Sequence, residues 1–298
     1  MDSKLRIWAL AARPKTLTTA LVPVLVGSAA AYRLESHLVG WTIALALLAS
    51  LLIQIGTNLV NDVSDAEKGA DNAERIGPLR VVAAGLLSGR IVWWGAALCF
   101  LGAAAMGWPL IAEGGLFILL IGVTGILSGI LYTAGPWPLA YVGLGDFFVM
   151  LYFGILAVCG MYYLHAGGLS RFALFAGLQV GSLATVLIAV NNFRDYLTDR
   201  KAGKKTLPAR FGPRFARAEI ATLVALPFLV SFWWMQDGYP WTAFLPWLSI
   251  PLAVKLLRGV FTTEPGPVYN QFLARSAGLH LVFGVLLSLG LLLDRGPQ

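Results

Sequence analysis

The sequence predicts an all-α fold, a polytopic membrane bundle of nine transmembrane helices. Three observations predict it. Of 298 residues, 58% are hydrophobic and only 12% are charged, where soluble domains average about 25% charged. Nine apolar runs of roughly spanning length fall at 16–32, 41–60, 91–109, 115–133, 142–164, 172–193, 218–236, 242–259 and 277–293. Lys and Arg are also distributed unevenly. With a cytoplasmic N-terminus, segments 1–15, 61–90, 134–141, 194–217 and 255–275 hold 19 of the 22 basic residues, and Arg33, Arg171 and Arg295 are the other 3. That positive-inside bias puts the N-terminus in the cytoplasm and the C-terminus outside. Dropping one span would scramble the alternation. The net charge of +7 then reflects cytoplasmic loops against anionic lipid, and no nucleic-acid partner is expected. The expected location is a bacterial inner (cytoplasmic) membrane.

The chain reads as one membrane domain over 1–298. Residues 1–15 form a basic N-terminal segment, with Leu5, Ile7, Trp8 and Leu10 suited to an interfacial helix. Lys4, Arg6, Arg13 and Lys15, with no clean cleavage site, argue against a removable signal peptide. Pro14 opens the first span, where its missing N–H costs little. Gly125 and Gly129 in the fourth span make a small-residue step suited to close helix packing. Two polar segments, 66–90 and 200–217, each contain a partly apolar piece, Val81–Leu87 and Leu207–Phe215, and each is punctuated by Gly-Pro. They read as cytoplasmic caps, short helices or loops lying over the bundle mouth. The uncharged, Pro-rich loop Thr133–Tyr141 is expected to be rigid and close to the bundle. Cys99 and Cys159 sit in apolar runs and suggest core residues rather than a disulfide framework or zinc site. His37, His165 and His280 show no partner pattern, and no obligatory protein partner is evident.

Two polar clusters carry the chemistry, each following an apolar run. The first is Asn58, Asn61, Asp62, Asp65, Lys68 and Asp71; the second is Asn191, Asn192, Arg194, Asp195, Asp199, Lys201 and Lys204. Asn61 to Asp65 and Asn191 to Asp195 repeat one four-residue step, which puts each pair on one helix face. Spans 2 and 6 both run inward, so the clusters lie on the same side. Asp62, Asp65, Asp71, Asp195 and Asp199 repel one another unless a cation intervenes. Oxygen-only ligation suits a hard cation such as Mg²⁺, and helix C-termini favour positive charge. Lys68, Arg75, Arg80, Arg194, Lys201 and Lys204 suit an anionic phosphate. Together these point to a Mg²⁺–diphosphate site whose apolar interior fits a lipid diphosphate. Tyr132, Tyr141, Phe147, Phe148, Tyr152 and Phe153 are candidates for stabilising an allylic cation. A secondary transporter, the rival class, places its acids near the bilayer midplane, whereas these lie at helix ends.

The motifs Asn58-x-x-Asn61-Asp62-x-x-Asp65 with Lys68-Gly69-x-Asp71, and Asn191-Asn192-x-Arg194-Asp195-x-x-x-Asp199 with Gly203-Lys204-x-Thr206, resemble the two aspartate-rich motifs of the UbiA superfamily of intramembrane prenyltransferases. Arg13-Pro14-Lys15-Thr16-Leu17, Arg75-Ile76-Gly77-Pro78-Leu79-Arg80, the stretch Tyr132–Gly145, and Asn270 with Ser276 resemble its 1,4-dihydroxy-2-naphthoate polyprenyltransferase (MenA) branch. The resemblance covers residues 10 to 293. It implies a nine-helix bundle around a central cavity, with Mg²⁺ bridging a polyprenyl diphosphate to both motifs. Asp62, Asp65, Asp195 and Asp199 become the catalytic candidates, and these four with Asp71 the metal ligands. The substrate-binding candidates are Lys15, Asn58, Lys68, Arg75, Tyr132, Asn191, Asn192, Arg194 and Lys204. The implied reaction is transfer of a polyprenyl group to 1,4-dihydroxy-2-naphthoate with decarboxylation, giving a demethylmenaquinol in menaquinone biosynthesis. Prenylation of 4-hydroxybenzoate, homogentisate or a chlorophyllide is the alternative. The chain departs from the superfamily at Gly69, where the hydroxybenzoate branch has an aspartate, and at Asp146 and Thr133, where Glu and Ser are expected.

Overall fold

A computed structural model describes residues 4–35, 38–70 and 76–294. In chain order its helices are α1 (Lys4–Ala12), α2 (Thr18–Glu35), α3 (Gly40–Glu67), α4 (Gly89–Leu131), α5 (Leu139–Val142), α6 (Gly145–Met150), α7 (Leu156–Ala166), α8 (Arg171–Lys201), α9 (Leu207–Gln236), α10 (Pro240–Phe244), α11 (Ile250–Thr262) and α12 (Tyr269–Leu293). A π-helical turn, Leu151–Ile155, joins α6 to α7, and a 3-10 segment, Leu245–Ser249, joins α10 to α11. Asp71, Arg75, His37 and Arg295, with the expectations placed on them, lie outside the described residues.

Seven helical stretches among the described residues are long and apolar enough to cross a membrane, against nine apolar runs in the sequence. Two features account for the difference. The 18-residue α2 is not one of the seven. The 43-residue α4 carries two of the runs. A straight helix of that length would measure about 65 Å, twice the roughly 30 Å of a bilayer's hydrocarbon core. It is interrupted at Gly115 (φ 58°, ψ −146°), a backbone conformation open essentially to glycine alone. The chain folds back there: Gly129 comes against Phe100 of the first half, and Ile126 and Ile130 pack on the same cluster. α4 is therefore a helical hairpin.

At the centre lies α8, buried along most of its apolar length and packed against α2, α6, α7, α9 and α12. Small residues allow this. A Cβ placed on Gly154 would lie 2.3 Å from the Cα of Gly181, and one on Gly181 would lie 2.7 Å from the Met150 carbonyl. The π turn and α8 thus touch backbone to backbone, the close approach that small residues permit between membrane helices. Around this contact runs the main apolar core, from Val22 and Val26 of α2 to Leu279, Phe283 and Leu287 of α12.

Each polar cluster begins on a helix. α3 continues beyond its apolar run to Glu67, and α8 to Lys201. Two inserts fold over these ends. In the first, residues 80–87 form a compact turn closed by Gly85 in the left-handed region. It is docked by Asp62, whose carboxylate accepts the backbone N–H of Val82 (2.9 Å) and Val81 (3.3 Å). In the second, Gly212 (φ 83°) breaks α9, separating a short helical piece at 207–211 from the long helix beyond. The N-terminal turn is stapled down similarly: Asn58 Nδ2 donates to the Ala12 carbonyl (2.9 Å) and to Thr16 Oγ1 (3.1 Å), and Arg13 donates back to the Asn58 carbonyl (3.1 Å).

Two outcomes follow from this packing. Gly154→Ala forces two backbones apart, an overpacking cost of about 1–3 kcal/mol, and is expected to lower the thermal midpoint of the purified protein in detergent. Asp62→Ala removes a charged acceptor from two amides, worth about 1.5–3 kcal/mol. Hydrogen exchange at Val81 and Val82 is expected to accelerate by about tenfold or more, with the α8 amides unchanged.

Candidate functional site

The ends of α3 and α8 enclose the polar mouth of a cavity of about 790 Å³. Asn58, Asn61 and Asp65 of α3 face it, as do Asn191, Asn192, Asp195 and Asp199 of α8. Spacings of three and four residues explain this, since they keep each set on one helix face. Below the mouth the walls turn apolar, formed by Ile118 and Ile121 of α4, Leu156 and Leu164 of α7, and Leu187 of α8. Gly122, Gly125 and Gly129 line the same wall. Of the expected packing step, Gly129 does pack closely, against Thr57, while Gly125 faces Tyr152 across ordinary contact distance.

The carboxylates are not bare. Asp65 accepts from Lys204 Nζ (3.2 Å) and the Tyr141 hydroxyl (2.9 Å), with the Arg80 guanidinium at 3.8 Å. Lys204 reaches back because its backbone N–H bonds to the Asp199 carbonyl (2.9 Å) around Gly203, which is left-handed at φ 74°. Asp195 is held by Arg194, whose Nε and Nη2 donate to its two oxygens at 2.8 and 2.6 Å. Asp199 accepts from the Thr206 hydroxyl (3.4 Å). No three acidic, His or Cys side chains among the described residues cluster closely enough to hold a metal by themselves. The donors that face the cavity are carboxylate and amide oxygens on opposite walls. Such a set fits Mg²⁺ that completes its shell with water and a substrate phosphate, rather than an all-protein cage.

The loop beyond α4 closes one side of the mouth. Lys68 donates to the Thr133 carbonyl, and the Thr133 hydroxyl donates to Asn61 Oδ1 (2.7 Å). Lys68 and Lys204 lie 4.7 and 4.6 Å from the centre of the Tyr141 ring, so this ring shares the charge of both lysines. Burial lowers the Lys68 pKa from its ordinary value, partly opposed by Asp65.

Several sequence expectations are relocated. Lys15, Asn58, Tyr132, Asn191, Asn192 and Lys204 line the cavity with Asp65, Asp195 and Asp199. Asp62 does not; its carboxylate is spent on the cap turn. Lys68 is turned onto the Thr133 loop. Arg194, only 2% exposed, points away from the cavity into a network with Asp195, Asn191 and Asn270. Asp71 and Arg75 lie outside the described residues. Among the aromatic candidates, Tyr132, Phe148, Tyr152 and Phe153 line the cavity, Tyr141 sits on Asp65, and Phe147 is 61% exposed. Asp146 is buried behind Asn192, whose amide donates to it at 3.5 Å. The sequence reading left Asn61 out of the site, although the four-residue step to Asp65 marks it. Arg80, expected among the phosphate-suited cations, and Tyr141, expected among the aromatic wall residues, both meet Asp65 at the mouth, and Thr133, expected only within a rigid loop, binds Asn61 there.

Comparison with known proteins agrees with this geometry. Residues 20–274 match the UbiA prenyltransferase family. The chain is 34% identical to the 1,4-dihydroxy-2-naphthoate octaprenyltransferase of Haemophilus influenzae, over 98% of each chain. Its fold is similar to the apo structure of a UbiA homolog from Aeropyrum pernix K1, with a TM-score of 0.69, 16% identity and 99% of each chain covered. It is also similar to a UbiA homolog from Archaeoglobus fulgidus bound to GPP and Mg²⁺, with a TM-score of 0.66, 17% identity and coverage of 95% of this chain and 99% of that one. A multi-pass helical membrane chain with two aspartate-bearing helices at one cavity mouth, matched to the family over most of its length, belongs to the UbiA prenyltransferase family.

Proposed function

We propose that this protein transfers a polyprenyl group from its diphosphate to 1,4-dihydroxy-2-naphthoate, with loss of CO₂, giving a demethylmenaquinol for menaquinone synthesis. The observation that carries the reading is one continuous cavity. It joins a mouth with carboxylates, amides and cations to an apolar interior. The 34% identity to a 1,4-dihydroxy-2-naphthoate octaprenyltransferase, over 98% of each chain, supports the acceptor. The A. fulgidus neighbour bound to GPP and Mg²⁺ supports the donor and the metal.

Asp65, Asp195 and Asp199, with Asn61 and Asn191, would hold Mg²⁺ against the diphosphate. When bound, the metal supplies neutralisation of the charge that develops on the leaving group. Lys204 and Arg80 lie beside Asp65 and add cationic groups to the same end. The prenyl tail extends along the apolar wall. Phe148 and Tyr152 line the cavity and would supply the aromatic surface that stabilises the allylic carbon as its bond to oxygen lengthens. The C–O electron pair leaves with the diphosphate. An electron-rich ring carbon of the naphthoate forms the new C–C bond, and loss of CO₂ from that carbon restores aromaticity. Lys15, in the Arg13–Thr16 turn that lines the same cavity, would supply a cation for the acceptor's carboxylate. In this reading the N-terminus, both motifs and the caps face the cytoplasm of a bacterial inner membrane, as the basic-residue bias predicts.

Membranes supplied with a polyprenyl diphosphate, Mg²⁺ and dihydroxynaphthoate are expected to yield prenylated, decarboxylated product by mass, and none with 4-hydroxybenzoate. Chelation should abolish the product and Mg²⁺ should restore it. Asp65→Ala and Asp195→Ala should each lower kcat/KM on the order of 100-fold or more. Full activity in either would sink the assignment. Tyr152→Leu should lower kcat about tenfold, the loss of roughly 1–2 kcal/mol of cation–π stabilisation, with little change in donor KM.

A further inference from the structure

Arg194 belongs to the second aspartate motif but does not line the cavity the two motifs share. Its side chain is 1% exposed. Four of its five N–H donors are engaged: Nε and Nη2 to the Asp195 carboxylate, Nη2 also to Asn191 Oδ1 (2.9 Å), and Nη1 to Asn270 Oδ1 (2.7 Å). A planar guanidinium suits this role, because its fork fixes several acceptors at once. The next link is Asn270, in the first turn of α12. Its Oδ1 is taken by Arg194, and its Nδ2 donates to the Ile76 carbonyl (3.2 Å). Ile76 belongs to the first cap segment, whose Pro78, Leu79 and Arg80 wall the cavity mouth. Arg80 approaches Asp65 of the other motif at 3.8 Å.

These bonds run as one chain around the outside of the mouth, from Asp195 through Arg194 and Asn270 to Ile76, then along the cap to Arg80 and Asp65. We infer that Arg194 and Asn270 are positioning residues. They fasten the first cap to the second aspartate motif, so that closure of the mouth and the orientation of Asp195 toward a diphosphate-bound cation occur together. Asn270 suits the junction because its amide carries an acceptor for Arg194 and a donor for the Ile76 carbonyl on one short side chain. A carboxylate or an alanine there breaks one or both links. The inference rests on the reading that the cavity takes a prenyl diphosphate with a divalent cation. It does not depend on which aromatic acceptor is used.

The test measures binding rather than turnover. Geranyl S-thiolodiphosphate, an inert analogue of GPP, is titrated onto the full-length protein in nanodiscs at several Mg²⁺ concentrations. Wild type is compared with Asn270→Ala and Asn270→Asp. Asn270→Asp keeps an acceptor for Arg194 and loses only the donor to Ile76, so it tests the cap link even where the alanine variant folds poorly. The expected result is about tenfold weaker analogue binding and a raised half-saturating Mg²⁺ concentration in both variants. Steady-state assays should place the change in donor KM more than in kcat. Arg194→Lys combined with Asn270→Ala should cost less than the two single effects together, since both act on one chain of bonds. Variants that lose only thermal stability, with wild-type affinity and Mg²⁺ dependence in the folded fraction, would overturn the inference and leave the function intact. A wild type that fails to bind the analogue would overturn the reading of the cavity and this inference with it.

Discussion

The constraint on which this structure depends is the cost of keeping carboxylates at the mouth of an apolar bundle. Asp65 and Asp195 are both largely buried, at 6% and 13% side-chain exposure. Removing the partner of a buried charge typically costs about 3–5 kcal/mol. Each is therefore matched: Asp65 by Lys204, Arg80 and the Tyr141 hydroxyl, Asp195 by Arg194. The loops that supply these partners are consequently ordered around the mouth. The Gly203 turn returns Lys204 to the cavity, the Thr133–Tyr141 loop is latched onto α3, and the first cap is docked on Asp62. One set of charges thus shapes the entrance as well as the chemistry.

The remainder of the bundle serves that mouth by being thin where it must be. α8 carries the second motif and can reach the centre only because its Gly177 and Gly181 meet Gly154 of the π turn backbone to backbone. The π turn then offsets Tyr152 and Phe153 so that both face the cavity with Phe148. Such turns are often found at functional sites. The hairpin at Gly115 brings the second half of α4 against α3 and α7, closing the apolar wall. Packing and site are therefore the same set of contacts seen from two sides.

Much of this was legible in the chain. The membrane class follows from apolar runs, which a bilayer requires because backbone groups must be satisfied within the span. The two motifs were legible because carboxylates are rare at membrane helix ends and stand out against apolar sequence. Less legible was the direction of each side chain. Asp62 and Asp65 both sit near one face of α3, and only the cap turn, 19 residues away in sequence, draws Asp62 off it. Arg194 was counted as a phosphate contact on charge alone, whereas Asn270, 76 residues distant, pulls its guanidinium outward.

By itself the sequence determined what depends on local composition and period: a helical membrane protein, two polar helix ends, their repeated four-residue step and the aromatic residues between them. Tertiary structure alone decided what depends on contacts between distant segments. Asp65 rather than Asp62 faces the cavity, Arg194 braces Asp195 and Asn191 instead of lining the cavity, Lys204 meets Asp65 across 139 residues, and α4 folds back on itself. The physical reason is reach. A helix fixes the direction of a Cβ, but a long or branched polar side chain turns to whichever partner the fold brings near, and at a buried mouth each such group must find one.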